Sequence, residues 1–128
     1  MEIINDKLLI MKENPVKEKS LLFAIRIVKL YKHLTEIKKE YVMSKQILRS
    51  GTSVGAMVHE AEHAESANDF IHKMAIAQKE MNETLYWLVL LEKTDYLSHK
   101  QFESINSDAL EIIKLLTSII KTTKKNNV

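Results

Sequence analysis

Apolar residues return every three or four positions along most of this chain, with polar residues filling the intervals. Phe23, Ile27, Leu30, Leu34 and Ile37 keep that step and predict a helix over residues 16–39. A second line, Leu21, Ile25, Val28 and Tyr31, widens its apolar face, and Arg26, Lys29 and Lys32 form a charged edge. Pro15 suits the first helical turn and disfavours helix at Asn14. Met43, Ile47, Val54, Val58 and Ala61 predict a second helix over 42–64. Its segment Ser50-Gly51-Thr52-Ser53 is a weak helix former, and such small residues mark either close approach of another backbone, as where a neighbouring helix packs tightly, or a bend. A third helix over 66–93 carries Phe70, Met74, Ala77, Met81, Leu85, Leu88 and Leu91. A fourth over 99–122 carries Phe102, Ile105, Ala109, Ile112, Leu116 and Ile119, with Leu110, Ile113, Leu115 and Ile120 as a second surface. Ser98 stands where it can cap this last helix.

No strand pattern interrupts the four helices, and the connections are short. The expected fold is all-α, an antiparallel up-down-up-down four-helix bundle. Its expected parts are a lead-in at 1–15, the bundle at 16–123 and a basic, disordered tail at 124–128. A bundle monomer needs one apolar stripe per helix. The first and fourth helices carry more than that, which suits either self-association or a thick intramolecular core.

Composition narrows the function classes. With 128 residues the chain suits one domain with a real core. It has no cysteine, hence no disulfide, thiolate metal site or cysteine nucleophile. No apolar run reaches the length of a membrane span and no signal peptide is visible, so a soluble cytoplasmic protein without a membrane partner is expected. Charge is uneven. Residues 1–58 hold 11 Lys/Arg against 6 Asp/Glu, residues 59–111 hold 4 against 11, and residues 112–128 hold 4 against none. A basic first half and an acidic middle are compatible with a nucleic-acid-binding face, and also with oppositely charged helix surfaces meeting each other.

One motif suggests other chemistry. The stretch HEAEHAESAND at 59–69 contains H-E-x-x-H, the zinc-protease signature, with Asp69 six residues after the second histidine. That chemistry needs His59 and His63 on one metal, Glu60 as general base and a third ligand folded back by a turn. Here Ser66-Ala67-Asn68-Asp69 fits a capping box, which gives Asp69 a local task. On a helical projection the two histidines face away from the Ile47–Val54–Ala61 line, and no sheet supplies a cleft. Neither Glu80, Glu83 nor His72 has a spacing that selects it as a ligand. No catalytic residue, metal or cofactor is therefore expected.

The stretches NPVKEKSLLFAIRIVKLYKHL and KEYVMSKQILRSGTSVGAMVHEAEHAESANDFIHKMAIAQKEMNETLYWLVLLEKTDYL carry a resemblance over residues 14–97. They resemble the bacterial four-helix-bundle proteins linked to intervening sequences of 23S ribosomal RNA genes. These are similar in turn to the accessory protein of diversity-generating retroelements. The resemblance implies a bundle that assembles into a ring-like homopentamer, with RNA or DNA as its suspected ligand. By position, Arg49, Ser50, Ser53, Gly55 and Glu60 match the family pattern of the second helix. Ser66, Asp69, Phe70, Glu80, Glu83, Tyr86, Trp87 and Leu88 match that of the third. Met57 stands where the family commonly has Asn, and the pair His59 and His63 is a local departure.

Charge pattern and resemblance together predict a non-enzymatic homo-oligomer that binds RNA or DNA through Lys19, Arg26, Lys29, Lys32, Lys45 and Arg49. Arg49, Ser53, Glu60, Ser66, Asp69 and Trp87 are expected to set structure and assembly. Arg49 and Glu60 also suit interhelix or intersubunit ion pairs. The alternative is a scaffold whose basic face meets an acidic protein partner.

Overall fold

A computed structural model describes residues 14–126 of the chain. Four helices follow one another: α1 Pro15–Glu36, α2 Met43–Ala61, α3 Ala67–Lys93 and α4 His99–Asn126. No strand occurs among the described residues. Each helix lies beside two neighbours, in the cycle α1–α2–α3–α4–α1, and the backbones of diagonal helices stay apart across the core. Lys19 pairs with Glu111 while Arg26, farther along α1, pairs with Asp108, earlier on α4. Helices α1 and α4 therefore run antiparallel, as the short connections require.

Each start has a local cause. Asn14 Oδ1 accepts from the Lys17 N–H at 3.4 Å, and Pro15 occupies the first turn of α1. Ser66 accepts from the Asp69 N–H at 3.0 Å and caps α3. The Asp69 carboxylate reaches back to the Glu65 N–H at 3.1 Å, one residue before the cap, where the capping-box reading put it on Ser66 itself. Ser98 and Gln101 exchange bonds at the start of α4. The Gln101 N–H donates to Ser98 Oγ at 3.1 Å, and the Ser98 N–H donates to Gln101 Oε1 at 2.9 Å. Between helices the chain reverses through Lys39 and Asp95, whose φ angles are 57° and 68°.

Boundaries differ from the sequence pattern in three places. The first helix ends at Glu36 rather than Lys39, and α2 ends at Ala61 rather than Ala64. Ile37, expected in the core line, lies past the end of α1 and is 67% exposed. The fourth helix continues to Asn126, so Lys124 and Lys125 of the expected tail are helical. Most of the expected lead-in, 1–13, and residues 127–128 lie outside the described residues.

The core is the set of inner stripes. Phe23, Ile27 and Leu34 meet Ile47, Val54 and Val58, and these pack on Met74, Met81, Leu88, Leu91, Ile105, Ile112 and Leu116. Burying each such side chain contributes about 1.5–3 kcal/mol relative to leaving it in water. The small-residue segment of α2 faces α1, as its composition suggested. A Cβ on Gly51 would lie 2.7 Å from Ile27 Cγ1, and one on Gly55 would lie 3.1 Å from the Ser20 carbonyl oxygen. A side chain at Gly51 would have to displace Ile27, and one at Gly55 would press on the α1 backbone. On its other side α2 buries Ser50, whose hydroxyl shares a 2.9 Å hydrogen bond with Thr84 of α3. Thr52 and Ser53 return their hydroxyls to Leu48 and Arg49 carbonyls, both at 2.6 Å, within their own helix.

Candidate nucleic-acid and assembly surfaces

The six cations expected to meet nucleic acid fall into two groups. Lys19 pairs with Glu111 at 2.5 Å, and the bond to this carboxylate raises the Lys19 pKa above its ordinary value. Arg26 donates to Asp108 Oδ2 at 2.6 Å, to Ser104 Oγ at 3.0 Å and to the Ser104 carbonyl at 3.3 Å. Arg49 reaches across to α3, where it bonds Glu80 at 3.0 Å and also Glu83. These three cations clamp helices together and have their charge answered locally. Lys29, Lys32 and Lys45 are exposed and make no ion pair among the described residues.

Position separates the groups as well. In this topology the end of α1, the start of α2 and the start of α4 share one end of the bundle. Lys29, Lys32, Lys38, Lys39, Lys45 and Lys100 lie toward that end, all exposed and without ion pairs among the described residues. At the opposite end Lys17 pairs with Glu62 at 2.6 Å and Lys73 with Asp69 at 3.4 Å, while Lys121, Lys124 and Lys125 of α4 are exposed there without ion pairs among the described residues. Two acids near the lysine end are already engaged. Glu92 bonds His99 Nδ1 at 2.6 Å, and Glu40 is buried.

Glu40 was not singled out by the sequence pattern. Its carboxylate accepts from the N–H groups of Val42, Met43 and Ser44 at 3.0, 3.0 and 2.7 Å, and so caps α2 from the preceding turn. Burial pushes its pKa up, but the three N–H bonds and the Ser44 side chain outweigh that and hold it below the usual carboxylate value. An acidic residue just before a helix was the available signal.

The expected assembly residues form one cluster and several separate pieces. Trp87 donates from Nε1 to Glu83 Oε2 at 3.1 Å, so Arg49, Glu80, Glu83 and Trp87 make one network across α2 and α3. The Trp87 bond, with Arg49 behind it, lowers the Glu83 pKa against the effect of burial. Glu60, by contrast, is exposed and is not a partner of Arg49. Ser53 is tied to its own helix, while Ser66 and Asp69 serve the start of α3.

The histidine motif is split by the end of α2. His59 lies in the last turn and His63 in the turn beyond Ala61, both exposed, with ring centroids 6.0 Å apart. Asp69 is held by Glu65 and Lys73. No group of three or more His, Cys, Asp or Glu able to hold a metal gathers among the described residues.

Exposed apolar side chains form patches on two diagonal helices, besides the exposed Leu22, Ile37, Tyr41, Val42 and Leu110. At about 100° per residue, Leu21, Ile25 and Val28 lie on the side of α1 opposite Phe23, Ile27 and Leu34. They are exposed. Tyr86 and Val89 are exposed on α3, the diagonal helix. No helix among the described residues is long and apolar enough to cross a membrane.

A solved structure shares this fold. A crystal structure of a protein of unknown function from the S23 ribosomal protein family of Bacteroides thetaiotaomicron VPI-5482 superimposes with a TM-score of 0.82. It is 64% identical and covers 83% of this chain and 98% of its own. None of the curated proteins compared matches the chain. Residues 12–118, most of the chain and all of the bundle up to the last turns of α4, match the model for the 23S rRNA-intervening sequence protein, and the chain belongs to that family.

Proposed function

We propose that this protein is a non-enzymatic, homo-oligomeric helical bundle that binds RNA, or DNA of similar shape, through the lysines gathered at one end. The observation that carries the reading is the separation of paired from unpaired cations. Lys19, Arg26 and Arg49 hold helices together, which leaves Lys29, Lys32 and Lys45 to meet phosphates. The family's link to ribosomal RNA supports RNA over other polyanions.

Assembly into a ring, of five copies by the family resemblance, accounts for the two outer apolar patches. A ring joins two different faces of neighbouring copies, unlike a two-fold dimer, which joins one face to itself. The stripe on α1 and the Tyr86–Val89 patch on α3 lie on diagonal helices and meet that requirement. A ring also repeats the lysine cluster and multiplies a weak attraction per chain. The cytoplasm suits such a ligand.

Mobility shifts with structured RNA at low and high salt test the reading. Binding at low salt that weakens steeply as salt rises is expected, because each lysine–phosphate contact adds roughly 0.7–0.9 to the log–log salt slope. The Lys29→Ala, Lys32→Ala, Lys45→Ala triple variant flattens that slope, and Lys19→Ala does not. No binding of RNA or DNA at low salt overturns it. The exposed α1 stripe also suits a scaffold that holds another protein. Recovery of a protein partner after nuclease treatment, with no nucleic acid bound at low salt, favours that second reading.

A further inference from the structure

The seam between α1 and α4 opens into a cavity of about 540 Å³. Pockets of this size hold small organic ligands, with an apolar lining and a few polar groups that fix orientation. Leu30, Leu97 and Ile105 supply the apolar part. Lys29 and Lys100 line it and make no ion pair among the described residues. His33 lines it too, and its Nε2 is buried without a hydrogen-bond partner. Gln101 spends Oε1 on the Ser98 N–H, while its NH2 makes no hydrogen bond among the described residues.

Arg26 completes the lining in an unusual state. Its three hydrogen bonds to Ser104 and Asp108 fix the guanidinium plane and answer its charge. What such a group still offers a ligand is its flat face, on which a base stacks well. The cavity thus combines two free ammonium groups, an apolar wall, a planar cation held rigid and unspent hydrogen-bonding groups on His33 and Gln101. An inorganic anion would use only the lysines. A fatty chain would leave His33 and Gln101 unmet. A nucleotide uses all of them.

We infer that the α1–α4 cavity is a binding pocket for a single unstacked nucleotide. Lys29 and Lys100 hold the phosphate, the base lies against Leu30, Leu97 and Ile105 with Arg26 as its stacking plane, and His33 Nε2 and the Gln101 amide meet the base edge. This deepens the nucleic-acid reading and rests on it for the source of the nucleotide, an unpaired residue of a structured RNA.

Calorimetric titration of the full chain with AMP, GMP, CMP, UMP and inorganic phosphate tests it. At least one nucleotide is expected to saturate one site per chain with a Kd of ~1 mM or lower. Inorganic phosphate is expected to bind at least about tenfold more weakly, because the base contacts are absent. Lys29→Ala with Lys100→Ala weakens the nucleotide about tenfold or more, as loss of charge-assisted bonds does. His33→Phe keeps the ring, removes the nitrogen and changes the ranking of the four bases. Both variants are compared with the parent by circular dichroism, and the exposed lysine pair tests the pocket even if His33→Phe fails to fold.

Absence of saturable nucleotide binding overturns the inference. So does inorganic phosphate binding as tightly as every nucleotide, or nucleotide binding that the lysine pair does not affect. RNA binding without mononucleotide binding leaves the surface reading standing and removes the pocket. Mononucleotide binding without RNA binding keeps the pocket and removes the surface reading.

Discussion

Helix α1 has two neighbours and meets them in opposite ways. Against α2 it is joined by shape: Gly51 sits under Ile27, Gly55 under the Ser20 carbonyl, and no space for a side chain is left between. Against α4 it is joined by charge: Lys19–Glu111 and Arg26–Asp108 cross the seam, with cavities of about 540 and 130 Å³ beside them. Close packing is costly to disturb, since interiors have little free volume to yield. Exposed ion pairs contribute little, because water screens them and ordering long side chains costs entropy. One seam thus fixes the fold, and the other leaves room for a ligand.

Four measurements probe this contrast, in order of decreasing effect. Glu40→Ala removes the buried cap in the turn that joins α1 to α2 and leaves three N–H groups without their carboxylate, so urea unfolding should show a loss of about 2–3 kcal/mol. The same carboxylate has a pH signature. Its folded pKa lies below the unfolded value, so its contribution is present above the unfolded carboxylate pKa and is lost as pH falls through the folded one. The parent should lose more stability on acidification than Glu40→Ala does.

Gly51→Ala comes next. The added methyl meets Ile27, and overpacking costs about 1–3 kcal/mol, less the ~0.5–1 kcal/mol that alanine gains in a helix. A net loss of ~1–2 kcal/mol in the same unfolding experiment is expected; a gain would show that the seam has slack. Arg26→Ala, on the charged seam, should cost less than about 1 kcal/mol, since both partners are more than a third exposed. A loss as large as that of Gly51→Ala would erase the distinction.

The smallest effect concerns His99, which ties α4 to α3. Bonds to Glu92 and Glu103, at 2.6 and 2.9 Å, raise its pKa above 6.5, the Glu92 bond most. A raised pKa means stabilisation that is complete below the unfolded value and lost as pH rises through the folded one. Proton NMR titration should place His99 above 6.5, and Glu92→Gln should move it back down.

The tight seam was far more legible in the sequence than the open one. Periodicity marked Phe23, Ile27 and Leu34 as inner positions, and the run Ser50-Gly51-Thr52-Ser53 announced a close approach, because both signals are local. Ser66 as a cap was legible for the same reason. The partners of Arg26 and Arg49 were not. Asp108 is 82 residues from Arg26, and Glu80 is 31 from Arg49, so only the folded packing pairs them. Glu40 hid in a turn whose geometry depends on Lys39 taking a positive φ. The surface lysines were legible as a set, but which of them stay unpaired depended on where the acids of α3 and α4 fell.

The central claim is that these chains assemble through their outer apolar patches and present unpaired lysines to nucleic acid. Size-exclusion chromatography with light scattering and absorbance at two wavelengths, run at low salt with structured RNA before and after nuclease, tests it most directly. The expected result is a protein mass of five times 14.8 kDa that carries RNA until the nuclease removes it. A particle of 14.8 kDa that carries no RNA would contradict it.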